Sequence, residues 1–223
     1  DQWTWWNENG QVIKEENYKD GNLVNETNYT YYQNGQMHEM QFEVKYKYGK
    51  SVSNYIVWHE NGQVWLKGNY RDGKLVGKNT VWYENGQINV LTYYKDGKVD
   101  GEWTGWHENG QIENSAYYKD GKKDGKQTWW YENGQINSEG DYIDGKSVGN
   151  YIVWHLNGQL TYKQNHKDGK ADGKWTRWYS NGQVHGEGNY VSGLEEGKWT
   201  YWDENGQITS QEEYKEGMCI SGC

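Results

Sequence analysis

The sequence predicts an all-β fold, an elongated repetitive antiparallel β-meander of about nine β-hairpins forming a single twisted or curved sheet. Three observations predict it. The tripeptide Asn-Gly-Gln occurs nine times, starting at Asn9, Asn34, Asn61, Asn85, Asn109, Asn133, Asn157, Asn181 and Asn205, with spacings of 25, 27 and then 24 residues six times. A second glycine turn lies midway between these, as Asp-Gly at Asp20, Asp72, Asp96, Asp120, Asp144 and Asp168, with Ser192 and Glu216 in the same column and Tyr48-Gly49-Lys50 in the second repeat. The runs between turns are short and β-prone. Asn-Gly and Asp-Gly between such runs are strong hairpin signals, and nothing between them is long enough for a stable helix. Residues 1–217 read as one elongated domain of nine tandem repeats, with 218–223 as a cysteine-containing tail.

The first turn sets the register. A two-residue type I′ loop would place the aliphatic column opposite the residue after the Trp. A three-residue Glu-Asn-Gly loop, a type I turn closed by a left-handed glycine, pairs Trp with aliphatic directly. The second choice gathers three nearly constant columns on one face: Trp, aliphatic and the Tyr before Asp-Gly. That makes Trp82, Ile88, Tyr94, Trp106, Ile112, Tyr118, Trp130, Ile136 and Tyr142 the expected structural core of the repeats. Tyr46 holds the same Tyr column in the second repeat.

The strands supply the rest. The opposite face would carry the more varied columns, with Trp3, Trp5, Trp103, His107, Trp129, Tyr131, Trp175, Arg177, Tyr179, Trp199 and Tyr201 as a candidate ligand face. Aromatic strips edged with polar groups stack on sugars or take the anchor residues of a protein partner. The structural alternative is that these rings only pack across strands on one another. The second repeat carries a three-residue insertion around Glu39–Tyr46, with the only Phe, Phe42, read as a local distortion.

Composition bounds the function. There are 15 Trp, 21 Tyr, 30 Gly and no Pro, and the net charge is -9. Aliphatic residues are too scarce for a conventional two-layer core. The acidic balance disfavours nucleic acid and anionic membranes, which call for basic patches. No apolar run is long enough for a transmembrane helix. Cys219 and Cys223 are a candidate disulfide pair, which would fit a secreted, periplasmic or cell-surface location, with the cytoplasm as the alternative if the thiols stay free.

The search for chemistry leaves little. His59, His107 and His155 alternate with Tyr83, Tyr131 and Tyr179 in one column. Successive histidines lie four strands apart, roughly 19 Å, too far to share a zinc ion. No acid pair, nucleophile or phosphate cradle stands out. Catalytic, cofactor and metal residues are therefore expected to be none, and the chain is expected not to be an enzyme.

The segments W-T-G-W-H-E-N-G-Q-I at 103–112 and Y-Y-K-D-G-K-K-D-G-K at 117–126 resemble MORN repeats, most closely a longer bacterial variant found in proteins described as antitoxins. The resemblance covers nearly the whole chain. It implies a sheet of stacked hairpins with a scaffold or binding role, and it transfers no catalytic residues. The leading expectation is a scaffold for a protein partner. A carbohydrate or cell-wall binding module is the first alternative, and an antitoxin or immunity protein the second. Homo-oligomers could form through the apolar face or the sheet edges.

Overall fold

The computed structural model describes residues 1–45 and 51–223, so Tyr46 and the Tyr48-Gly49-Lys50 turn lie outside the described residues. Among the described residues there are strands and turns and no helix. The chain forms two compact units, Asp1–Gly110 and Gln111–Cys223.

The first unit holds β1 (Gln2–Trp6), β2 (Val12–Lys19), β3 (Asn22–Tyr31), β4 (Met37–Lys45), β5 (Ser51–Trp58), β6 (Val64–Arg71), β7 (Lys74–Leu75), β8 (Gly77–Trp82), β9 (Ile88–Lys95) and β10 (Lys98–Trp106). The second holds β11 (Ile112–Lys119), β12 (Lys122–Trp130), β13 (Ile136–Ile143), β14 (Lys146–Trp154), β15 (Leu160–Lys167), β16 (Lys170–Trp178), β17 (Val184–Val191), β18 (Leu194–Trp202), β19 (Ile208–Lys215) and β20 (Met218–Ser221). Within each unit, strands next to one another in sequence pair antiparallel, except that in the first β7 and β8 lie end to end and both pair with β6. Each unit is thus an antiparallel meander, as predicted. Residues 218–221 form β20, which pairs with β19, Tyr214 opposite Cys219.

Two turn geometries alternate. At Asn-Gly-Gln, the Tyr131 N–H donates to the Gln135 carbonyl and the Gly134 N–H to the Tyr131 carbonyl, both at 2.8 Å. Gly134 has φ 81°, the left-handed conformation that glycine adopts without strain. This is the three-residue loop expected, and Trp130 sits opposite Ile136. At Asp-Gly both residues are left-handed, Asp144 at 51° and Gly145 at 82°, which defines a type I′ turn. Ser192 and Glu216 adopt the same angles, 53° and 51°.

The Tyr column departs from expectation. Trp130 pairs Ile136, but Trp129 pairs Ser138, so Asn137 is an extra residue in β13. Side chains alternate along a strand, and one inserted residue reverses the sequence of faces. Tyr142 therefore lies on the face of Trp129 and Gln127, opposite Trp130 and Ile136. The same shift separates Tyr94 from Trp82 and Ile88, where Val81 pairs Val90 and Trp82 pairs Ile88. The sheet has a Trp–aliphatic face and an aromatic face, and the tyrosines belong to the second.

The buried positions correct the expected core. None of the nine expected residues is fully buried; Ile112 and Ile136 are exposed at 42% and 39%. The buried hydrophobics are Val57, Ala116 and Trp199, joined by Thr80, Thr92, Asn114, Gln127, Thr128, Ser138 and Gln164. These occupy strand centres, where a neighbour stands on either side. The Trp and aliphatic columns lie beside the turns and stay half open. The insertion in the second repeat is no distortion over the described residues: β4 and β5 pair without a break from Lys45–Ser51 to Glu39–Val57.

Candidate functional site

The side chains at the Asn-Gly-Gln turns are consumed in joining hairpins. The phenol of Tyr131 donates to the Trp154 carbonyl at 2.8 Å, Tyr179 to Trp202 at 2.9 Å, Tyr83 to Trp106 at 2.7 Å and Tyr32 to Trp58 at 2.8 Å. His59 Nε2 reaches the Trp82 carbonyl at 3.0 Å. The column holds Tyr or His: His59 places a ring nitrogen where Tyr83 places its hydroxyl in the next repeat, whereas His155 Nε2 is buried without a partner. The turn asparagines act likewise. Asn61, Asn85, Asn157 and Asn181 donate from Nδ2 to the carbonyls of Glu84, Glu108, Ser180 and Glu204 at 2.8–3.2 Å. Their Oδ1 atoms accept the N–H of the Gln two residues on.

The Asp-Gly turns are tied in the reverse direction. The Gly145 N–H donates to the Lys123 carbonyl at 2.8 Å, and Gly169 to Ser147 at 2.9 Å. Asp172 and Glu196 accept the N–H of the left-handed residues Ser192 and Glu216.

The eleven candidate ligand-face residues are divided between the two units. Trp3, Trp5, Trp103 and His107 lie in the first unit and the other seven in the second. Trp3 and Trp5 stand on β1, 60% and 38% exposed, with Lys14 Nζ 5.6 Å from the Trp5 ring. Trp103 is on β10 opposite Thr92, eight strands along the meander from β1. Tyr131 and Tyr179 are hydrogen-bonded as above. Trp199 is 1% exposed and cannot touch a ligand.

In the second unit the aromatic face is a packed row. Trp175 and Trp199, two strands apart, have centroids 5.1 Å from each other. They meet over Gly188, where a Cβ would overlap the Trp199 ring. Tyr190 and Tyr214 set their edges against Trp199 at 5.1 and 5.9 Å, and Tyr162 and Tyr201 flank Trp175. Tyr151 lies over Gly140 in the same way. Burial, with Tyr190 and Tyr151 nearby, pushes the Tyr162 phenol up to about 12. Burial also lowers the His166 pKa, and burial together with Arg177 lowers that of His185. Lys123 runs over the Tyr142 ring at 4.9 Å and donates to Gln127 Oε1 at 2.6 Å. Of the tyrosines in this cluster, Tyr190 and Tyr214 were not among the candidate residues, because the displaced register puts their column on the face opposite to the one expected.

The more open apolar surface is on the other face. Ile112, Ile136 and Ile208 are 42%, 39% and 58% exposed, and the turn residue Leu156 is 58% exposed. A cavity of about 330 Å³ lies on this strip, lined by Gln183, Val184, Glu187, Trp202 and Gly206. None of the nine Asn-Gly-Gln turns contains Lys or Arg in its five residues, and between them they carry Glu8, Glu60, Glu84, Glu108, Glu132, Asp203 and Glu204. The Asp-Gly turns are mostly flanked by Lys. The two ends of the hairpins therefore differ in charge.

Among the described residues no three His, Cys, Asp or Glu side chains gather closely enough to hold a metal ion, and no helix is long and apolar enough to cross a membrane. Cys219 and Cys223 are joined in a disulfide.

Stacked hairpins held by hydrogen bonds from one repeat to the next define a tandem-repeat β protein. The chain belongs to the MORN repeat variant family, whose model matches residues 2–20, 54–72, 75–96, 99–120, 123–144, 147–168, 171–192 and 195–216. The longest unmatched stretch, residues 21–53, holds the second repeat, the one with the insertion. No curated protein matches the chain. Solved structures similar to it include the TcdB2-TccC3 crystal structure (12% identity, TM-score 0.24), of which the chain spans only 15% while 96% of the chain is covered. A porin-like protein from Bacteroides uniformis ATCC 8492 matches at 12% identity and TM-score 0.20, covering 92% of this chain and 91% of that one. A protein of unknown function from Bacteroides fragilis NCTC 9343 matches at 12% and 0.16, covering 71% and 94%. Similarities this low carry no structural or functional argument.

Proposed function

We propose that the chain is a non-enzymatic repeat scaffold that docks a protein partner along the Trp–aliphatic strip of its second unit, and that the partner presents apolar anchors flanked by Lys or Arg. The observation that carries this is the pairing of exposed Ile112, Ile136 and Ile208 with turns that hold acid and no basic residue. An apolar strip of this kind is a common docking surface, and its acidic border selects a basic partner and speeds encounter. Repeats recur every two strands, roughly 9.6 Å. One heptad of an α-helix advances about 10.5 Å, so an amphipathic helix laid across the strands meets one anchor position per repeat. The Cys219–Cys223 bond agrees with a place outside the reducing cytoplasm.

The test is calorimetric titration of the whole chain with a leucine-heptad peptide flanked by Lys, beside the same peptide flanked by Glu. Binding by the Lys peptide alone, weakened by added salt and by about tenfold or more in an Ile136→Ser, Ile208→Ser variant, supports the proposal. Equal binding of both peptides, or none, overturns it.

One observation favours a carbohydrate as a second reading. A cavity of about 480 Å³ in the first unit is lined by Trp65, Trp82, His59, Asn85, Asn89 and Glu108 among others, and Trp65 is 43% exposed. Rings beside amides and carboxylates suit a sugar. A glycan array followed by tryptophan quenching, lost in Trp65→Ala, separates this reading from the first.

A further inference from the structure

The nine Asn-Gly pairs share a chemical liability. The glycine nitrogen can attack the asparagine Cγ, forming a C–N bond as the bond to Nδ2 breaks and ammonia leaves. Water then opens the resulting succinimide at either carbonyl, giving aspartate or isoaspartate. The glycine has no side chain to hinder the attack. The reaction requires the carboxamide to rotate freely toward that nitrogen.

The turns differ in what holds the carboxamide. In those of Asn61, Asn85, Asn157 and Asn181, Oδ1 accepts from Gln and Nδ2 donates to the next hairpin. The first and last turns are built otherwise. Asn7 Oδ1 accepts the N–H groups of both Asn9 and Gln11, each at 3.0 Å. Asp203 Oδ1 accepts those of Asn205 and Gln207, at 2.9 and 2.8 Å. The acceptor role has moved two residues upstream, to the column that elsewhere holds Tyr or His. Among the described residues, the carboxamides of Asn9 and Asn205 have no hydrogen-bond partner, and both side chains are exposed.

We infer that Asn9 and Asn205 are the chain's sites of spontaneous deamidation and isoaspartate formation, and that the turn-to-turn hydrogen bonds protect the other asparagines they engage. Each hydrogen bond multiplies an equilibrium by about five. Two bonds hold the reactive rotamer down by roughly 25-fold. Conversion adds a carboxylate to the end of the hairpin that is already acidic. The isoaspartate form also lengthens the backbone inside a turn closed by a left-handed glycine.

The experiment is to age the whole folded chain in mildly alkaline buffer and follow each asparagine by peptide mapping, with isoaspartate scored separately. Asn9 and Asn205 should convert first, and Asn61, Asn85, Asn157 and Asn181 should lag by about tenfold or more. In urea all six should converge, since the Asn-Gly-Gln sequence is shared. Asp203→Tyr returns the Gln207 N–H to Asn205 and should slow its conversion, as Asn7→Tyr should for Asn9. Similar rates at all six sites in the folded chain overturn the inference. Unchanged rates at Asn205 and Asn9 in both Tyr variants overturn it too.

Discussion

The hydroxyl of Tyr131 donates to the main-chain carbonyl of Trp154 at 2.8 Å, 23 residues along the chain. The side chain after one strand thereby caps the end of a strand in the next hairpin. A phenylalanine there keeps the ring and deletes the donor. Tyr131→Phe should lower stability by about 1 kcal/mol, and Tyr131→His should recover part of that loss, because His59 makes the equivalent bond. Urea melts of the three forms check this; a Phe variant as stable as the parent would show that the bond adds nothing net.

Gly188 lets two tryptophans meet. Trp199 is 1% exposed and has no room to retreat from a new methyl group. Gly188→Ala should destabilise by about 1–3 kcal/mol, the usual cost of overpacking. Adding Trp199→Leu should return part of it, and a double-mutant cycle measures the coupling. Purely additive losses would mean that the ring is not what the alanine strikes.

His166 gives the fold an acid dependence. Burial lowers its pKa below the ordinary 6.5, so the folded state prefers the neutral ring and the unfolded chain binds the proton more readily. Its contribution is present above 6.5 and is lost as pH falls through the lowered value. His166→Tyr, the residue usual in that column, should flatten the fall in melting temperature below pH 6.5. The part due to His185 should remain, because its pKa is also lowered.

Tyr162 acts at the alkaline end. Its phenol is raised from 10.0 to about 12, so the unfolded chain loses the proton first. Stability present below pH 10 is lost as pH rises towards 12. Tyr162→Phe should be less sensitive across that window, as followed by far-ultraviolet circular dichroism. A variant with an unchanged alkaline transition would place the sensitivity elsewhere, for example at Tyr214, whose hydroxyl bonds Glu212.

Much of the backbone was legible because turn chemistry is local. Asn-Gly-Gln specified its loop, and Trp130 met Ile136 as that loop requires. The face of Tyr142 was not legible, because Asn137 carries no mark of a bulged residue and one extra residue reverses every position after it. The role of Tyr131 was hidden for another reason. Its partner is a main-chain carbonyl, which leaves no residue type in the sequence to pair with. The interchange of His and Tyr was the available signal, since both can donate from the end of a ring. Trp199 read as a surface aromatic because the glycine beneath it, Gly188, lies on a neighbouring strand.

The direction of the turn hydrogen bonds bears on how the chain comes to be folded during synthesis. Tyr131 reaches forward to Trp154, while Gly145 reaches back to Lys123. A hairpin leaving the ribosome is therefore incomplete until its successor has emerged. Order should spread as a zipper from neighbour to neighbour, as in other solenoid-like arrays. A stalled nascent chain would then always expose one unfinished hairpin end, with its carbonyls still open to whichever strand arrives next.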